Sequence, residues 1–165
     1  MSRPGVLGLA GGTALAVVAT DLATKTLVRD DLVPGAANDV VGNLLRVVHS
    51  ENDGVAFGRL SGSPVLVAAL VVVAMAALVG YFVTHLDTDA VWLPTGLLVG
   101  GAVGNALDRA RGGDVTDFVK VPYWPAFNVA DIAITLGVLV LLVVVERDAR
   151  TRERHVKAHG SDDLG

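Results

Sequence analysis

The chain has 165 residues, 52% hydrophobic and 18% charged, with 13 Lys and Arg against 17 Asp and Glu and a formal net charge of −4. Soluble domains carry about 25% charged residues, so a soluble globule and a disordered chain are both excluded, and the acidic balance argues against a nucleic-acid partner. Cysteine is absent, which removes disulfides, thiolate metal sites and thiol nucleophiles and leaves the composition of a small membrane protein.

Charge-free stretches predict an all-α polytopic membrane protein with four transmembrane helices. The first helix is expected over about 5–28, from the uncharged run Pro4 to Thr20. Arg3 followed by an apolar stretch also fits a signal peptide, but the polar pattern that begins at Asp21 favours a retained helix. Small residues at Gly8, Gly12, Ala16 and Thr20 form a face of the small-xxx-small type, expected to pack against another helix. Asp21 and Lys25 stand four apart with the acid first, the favourable order for a helical ion pair. On these residues alone the pair reads as interfacial, with Lys25 snorkelling to the headgroups.

A long loop, about 29–60, follows. Leu44 to His49 is β-prone and Asn52-Asp53-Gly54 is turn chemistry, so a small β-like hairpin or cradle on the membrane surface is predicted. The second helix is expected over about 62–85 and the third over about 90–108, each close to the roughly 20 residues a crossing needs. Gly96, Gly100 and Gly104 form a second close-packing face. Asn105 and Asp108 share a helical face with Arg109 adjacent, and Asp108 reads as a charge that anchors the helix end. The loop about 109–125 contains Asp114-Val-Thr-Asp117-Phe118.

The fourth helix carries the sharpest inference. Ile132 to Val145 is only 14 residues, about 21 Å at the helical rise and too short to cross. Starting at Ala126 gives a full crossing, over about 126–146, and takes Asn128 and Asp131 below the membrane surface. Asn128 with an acid three residues on resembles a capping box, whereas intramembrane acids usually mark function; for Asp131 both readings stand. Residues 147–165 are expected to form a charged tail. Its Arg147, Arg150, Arg152, Arg154 and Lys157 place the termini in the cytoplasm by the positive-inside rule.

Alternation of four spans gathers Asp21, Asp108, Asp131 and both long loops at one face. No paired histidine spacing such as H-E-x-x-H and no Gly-x-Ser-x-Gly elbow is present, so metal hydrolysis and serine chemistry lack their signatures. An ion- or proton-coupled transporter would need polar groups through to the second face, and a scaffold packed through its glycines leaves the clustering unexplained.

The series Asp21-x-x-Thr-Lys25, Asn52-x-Gly54-x-Ala56-Phe57, Gly100-Gly-Ala-x-Gly104-Asn105-x-x-Asp108-Arg109, Val115-x-Asp117-Phe118 and Phe127-Asn128-x-Ala130-Asp131 resembles the lipoprotein signal peptidase (signal peptidase II) family over about residues 5–146. Each motif is weak alone, and five in order are specific. The resemblance implies an aspartic endopeptidase that removes the signal peptide of diacylglyceryl-modified bacterial prolipoproteins just before the lipid-bearing cysteine. It places the catalytic pair at Asp117 and Asp131. It gives support or substrate-binding roles to Asp21, Lys25, Asn52, Gly54, Asn105, Arg109 and Asn128, and structural ones to Asp108, Gly100 and Gly104. Phe118 and the Tyr123-Trp124-Pro125 stretch are expected to wedge the loop bearing Asp117 at the interface. No metal or cofactor is expected. The partners would be lipid-modified prolipoproteins and membrane lipids, with no nucleic acid. A monomer in the bacterial cytoplasmic membrane, with its site near the extracytoplasmic face, completes the expectation.

Overall fold

The computed structural model describes residues 2–42, 44–52, 80–82, 84 and 90–160, with side chains through residue 151. Helix α1 spans Arg3–Asp31, strands β1 and β2 span Ala37–Val41 and Leu45–Asn52, helix α2 spans Trp92–Gly112, strand β3 spans Val115–Lys120 and helix α3 spans Val129–Gly160. Residues 80–82 are helical; the remainder of the second expected helix, over about 62–85, and Gly54 lie outside the described residues.

Pro4 in the first turn presets the backbone of α1, as proline does at helix starts. The helix ends three residues later than the expected 28, because the first residue that resists helix is Pro34, which biases its predecessor toward extended backbone. Helix α2 stops at Gly113, whose φ of 88° and N–H bond to the Arg109 carbonyl (3.0 Å) form a glycine C-cap. The largest departure is in α3. The expected tail 147–165 is helical as far as Gly160, since no proline or glycine interrupts residues 138–159. An exposed Arg150–Glu146 ion pair (2.8 Å) spans one turn of it.

Helix α2 packs against α1 on one side and α3 on the other, and glycines set how closely. A Cβ on Gly96 would lie 2.5 Å from Thr13 Cβ, and one on Gly100 2.7 Å from Val17 Cβ. On the other face, a Cβ on Gly101 would lie 2.5 Å from the Ala130 carbonyl oxygen. The expected face of α2 is therefore an interface, whereas that of α1 is turned away from the other described helices. Gly8, Gly12, Ala16 and Thr20 are exposed, and α1 meets α2 through Ala10, Thr13, Ala14, Val17 and Asp21. The partner face is chosen by where Asp21 must be buried, and the run of small residues points elsewhere. Gly100→Val is expected to destabilise by about 1–3 kcal/mol, the usual cost of overpacking, read as a lowered unfolding midpoint in detergent.

The long loops hold a three-stranded antiparallel sheet of order β1-β2-β3. Its hairpin turns at Gly42, where φ is +48°, and Leu44 N–H closes it on the Val41 carbonyl (3.0 Å). Asn52, where a turn is expected, is the last residue of β2, and Asp53 and Gly54 lie outside the described residues. Strand β3 lies within the segment expected as loop 109–125. Its pairing with β2 is irregular, stepping from Val47–Val119 to Ser50–Asp117, so one extra residue on β2 bulges there. Beyond β3 the chain folds back: Phe127 donates to the Val119 carbonyl (3.0 Å) and its own carbonyl accepts from Val119 (2.8 Å). That bridge delivers Asn128 and the start of α3 to the sheet. Phe118 is buried, so Phe118 is core, while Tyr123 and Trp124 project from the tip. Tyr123 has a φ of 62° and is fully exposed, and Trp124 is 63% exposed.

Candidate active site

The C-terminal ends of α1 and α2, the N-terminus of α3 and strand β3 converge on one cluster of buried polar side chains. Asp21, Lys25, Asn105, Asp108, Thr116, Asp117 and Asn128 are all buried. Buried charge must be paired and hydrogen-bonded, and most of the pairings here cross between elements.

Lys25, with no exposed surface, meets Asp21 Oδ2 at 2.7 Å and Asp108 Oδ2 at 3.0 Å, and donates to Asn105 Oδ1 at 3.0 Å. The expectation of a snorkelling Lys25 is thus corrected. Snorkelling needs a free path to the headgroups, and here two carboxylates converge on the ammonium inside the helix packing. Asp21 Oδ1 in turn accepts the Ala130 N–H at 2.8 Å, so a carboxylate of α1 satisfies an orphan donor in the first turn of α3. Gly104 leaves the room for this: a Cβ there would lie 2.6 Å from Asp21 Oδ2.

Asp117 and Asp131 are brought together through two asparagines. Asn128 Nδ2 donates to Asp117 Oδ1 at 2.7 Å, while the Asn128 backbone N–H donates to Asp131 Oδ2 at 3.3 Å. Asp131 N–H returns a bond to Asn128 Oδ1 at 2.9 Å, completing a capping box. The cap and the cluster are therefore one structure. Asn105 Nδ2 donates to Asp131 Oδ1 at 2.8 Å, and its Oδ1 accepts from Asn128 Nδ2 at 3.1 Å as well as from Lys25. Asn52 closes the other side, with Nδ2 donating to Asp117 Oδ2 at 2.9 Å. Asn52 pairs with Val115 across the ladder, so Asp117 is its diagonal neighbour on the same face.

Burial pushes the Asp117 carboxyl up to about 6, and the negative charge of Asp131 adds to the rise. Amide bonds from Asn52 and Asn128 pull the other way, but desolvation outweighs them. Asp131 opens onto an apolar cavity of about 270 Å³ lined by Trp124, Phe127, Ile132, Thr135 and Leu136.

Two residues escaped the sequence reading. Arg29 Nη2 pairs with Asp108 Oδ1 at 2.7 Å, and its Nε donates to Thr116 Oγ1 at 2.8 Å. Arg29 stands one turn beyond Lys25 and two beyond Asp21, so a helix carried past 28 would have shown three charges on one face. The arginine beside Asp108 in sequence, Arg109, bonds instead to the Asn105 carbonyl of its own helix at 3.4 Å. Among the described residues no group of three or more His, Cys, Asp and Glu side chains is arranged to hold a metal ion.

The profile of the family described as Signal peptidase (SPase) II matches residues 13–146. The lipoprotein signal peptidase of Moorella thermoacetica is 38% identical over 129 residues, 78% of this chain and 86% of its own length. That of Syntrophomonas wolfei is 35% identical over 144 residues, 87% of this chain and 97% of its own length. A bacterial membrane enzyme solved by the in meso method at 2.3 Å resolution superposes with a TM-score of 0.73 and 30% identity, covering 86% of this chain and 90% of that one. Helix α1 and the Val129–Thr151 part of α3 are long and apolar enough to cross a membrane. With the profile spanning most of its length, the chain belongs to the signal peptidase II family, as a membrane-bound peptidase of bacterial lipoprotein processing.

Proposed function

We propose that this chain is an aspartic endopeptidase that cuts diacylglyceryl-modified prolipoproteins just before the lipidated cysteine, with Asp117 and Asp131 as its catalytic pair. The observation that carries this reading is Asn128, which donates to both carboxylates at once. Two carboxyls so close cannot both ionise freely, so they share a proton and titrate as a unit. Burial favours Asp117 as the holder of that proton. Asp131, ionised, draws a proton from the attacking water, while Asp117 polarises the scissile carbonyl and then protonates the leaving amine. Asn105, Asn128 and Asn52 orient the pair, and Asp21 and Lys25 fix the helices that carry it. Asp108 anchors the end of α2, Gly100 and Gly104 set its distance from α1, and Arg109 and Gly54 contribute to substrate binding. The apolar cavity beside Asp131 receives a hydrophobic part of the substrate.

In this reading the chain is one integral membrane domain that crosses four times, as a monomer. Helix α2 is about 31 Å long at the helical rise, enough for one crossing, and residues 62–85 supply the fourth. The polar cluster and the sheet lie at the extracytoplasmic face and the termini in the cytoplasm.

Incubating the purified protein with a diacylglyceryl-modified precursor peptide and weighing the products by mass spectrometry tests this directly. Two products divided before the modified cysteine are expected, and scission elsewhere, or equal scission of the unmodified peptide, would overturn the reading. The pH dependence follows from Asp117. Below about 6 Asp117 holds its proton; above that it gives the proton up and the acid is lost. The kcat/KM profile is expected to fall about tenfold per unit on the alkaline side of that value, and to fall again in acid once the pair is doubly protonated and no base remains.

A further inference from the structure

Arg29, Asp108 and Thr116 form a closed ring that touches neither catalytic carboxylate. Arg29 Nη2 meets Asp108 Oδ1 at 2.7 Å, Arg29 Nε donates to Thr116 Oγ1 at 2.8 Å, and the Thr116 N–H donates to Asp108 Oδ2 at 3.3 Å. Thr116 is only 3% exposed and its carbonyl accepts from Asn128 Nδ2 at 3.5 Å. We propose that Arg29 is a positioning residue for peptide cleavage, clamping strand β3 through Thr116 and Asp108 so that Asp117 is held in register against Asp131. The proposal rests on the assignment of Asp117 to the catalytic pair.

The need for a clamp comes from the ladder itself. Pairing between β2 and β3 steps from Val47–Val119 to Ser50–Asp117, so the register is broken at the residue where precision matters, and bulged strands bend and twist locally. Side chains alternate along a strand, which turns Thr116 toward the helices while Asp117 faces Asn52 and Asn128. Fixing Thr116 therefore fixes its neighbour on the opposite face. A guanidinium suits this task because its planar fork donates to two partners in a set geometry, whereas an ammonium is a point charge. Its side chain is 33% exposed, so Arg29 adds little to the apolar packing.

The test uses the full-length protein and the diacylglyceryl-modified precursor peptide, with steady-state rates and unfolding midpoints measured in one detergent. Arg29→Ala and Thr116→Val are each expected to lower kcat about tenfold while KM stays within about twofold. The double variant should fall no more than about twofold below the weaker single variant, because both remove one bond. Thr116→Ser, which keeps the hydroxyl, should retain at least about half of kcat, and Arg29→Lys should fall between. Arg150→Ala, which breaks an exposed pair on α3, should match wild type. The proposal is overturned if kcat per folded molecule stays within about twofold of wild type in Thr116→Val, if KM rises instead of kcat falling, or if the two losses multiply. Should Arg29→Ala fail to fold, Thr116→Val and Thr116→Ser carry the decision. Asp117→Asn separates the two levels: an inactive Asp117→Asn beside an unaffected Thr116→Val sinks the clamp alone, and an active Asp117→Asn sinks the pair and the clamp together.

Discussion

Asp117→Asn and Asp131→Asn will each give a protein that inserts, folds and leaves a lipidated precursor uncut. Asparagine matches aspartate in shape but can neither take a proton from water nor deliver one to a leaving amine. Loss of one positioned acid or base costs about 10²–10⁴-fold in rate, and in the proposed mechanism each residue serves a proton-transfer step that the other cannot supply. The surroundings tolerate the change. Asn128 and Asn52 offer amide groups to Asp117, and side-chain amides present either an oxygen or an NH₂. At Asp131 a side-chain oxygen remains to accept the Asn128 N–H of the capping box. Mass spectrometry of the precursor after prolonged incubation, with an unfolding midpoint close to wild type, is the check. Full cleavage by either variant would refute the pair.

Lys25→Met will cost the fold before it costs the chemistry. The ammonium is enclosed by two carboxylates and a carboxamide, at 2.7, 3.0 and 3.0 Å. A methionine of similar length leaves Asp21 without its cation, held only by the Ala130 N–H, while Asp108 keeps Arg29 alone as its cation. Removing one partner from a buried ion pair destabilises by about 3–5 kcal/mol, a large share of the 5–15 kcal/mol that holds a typical domain. A sharp drop in folded yield and unfolding midpoint is expected. Adding Asp21→Asn should recover part of the loss, because it deletes one stranded charge while its side-chain oxygen can still accept the Ala130 N–H. If Lys25→Met instead keeps the wild-type midpoint and loses only activity, the network is chemical and not structural.

The parts of the molecule legible from sequence were those set by local composition. Charge-free runs located α1, α2 and α3, and the shortness of Ile132 to Val145 carried the start of α3 back to Asn128 and Asp131. Asn128 as a helix cap was readable from spacing alone, and its second duty, bonding to Asp117, was not. That duty depends on the Phe127–Val119 bridge, a contact of the folded chain. Lys25 illustrates the same limit: an Asp and a Lys four apart look alike on a surface and in a core, and only the approach of Asp108 from α2 decides. Arg29 was hidden by three residues of helix, since an α1 ending at 28 puts it in a loop. The small residues of α1 lie on a face turned away from α2: their spacing marks a face without saying which neighbour it meets. The assignment of Asp117 as catalytic came from the resemblance of five motifs together, for a strand aspartate carries no signature of its own.

The order in which these pieces enter the membrane has its own consequence. Asp131, the capping Asn128 and the Ala130 amide that satisfies Asp21 all sit at the head of α3, which leaves the ribosome after α1, α2 and the sheet. A nascent polypeptide halted before that point holds Asp117 without its counterpart and Asp21 without its amide. With Asp117 and Asp131 as the proposed catalytic pair, proteolytic competence would arise only once α3 has joined α1, α2 and the sheet, and an unfinished copy would be inert.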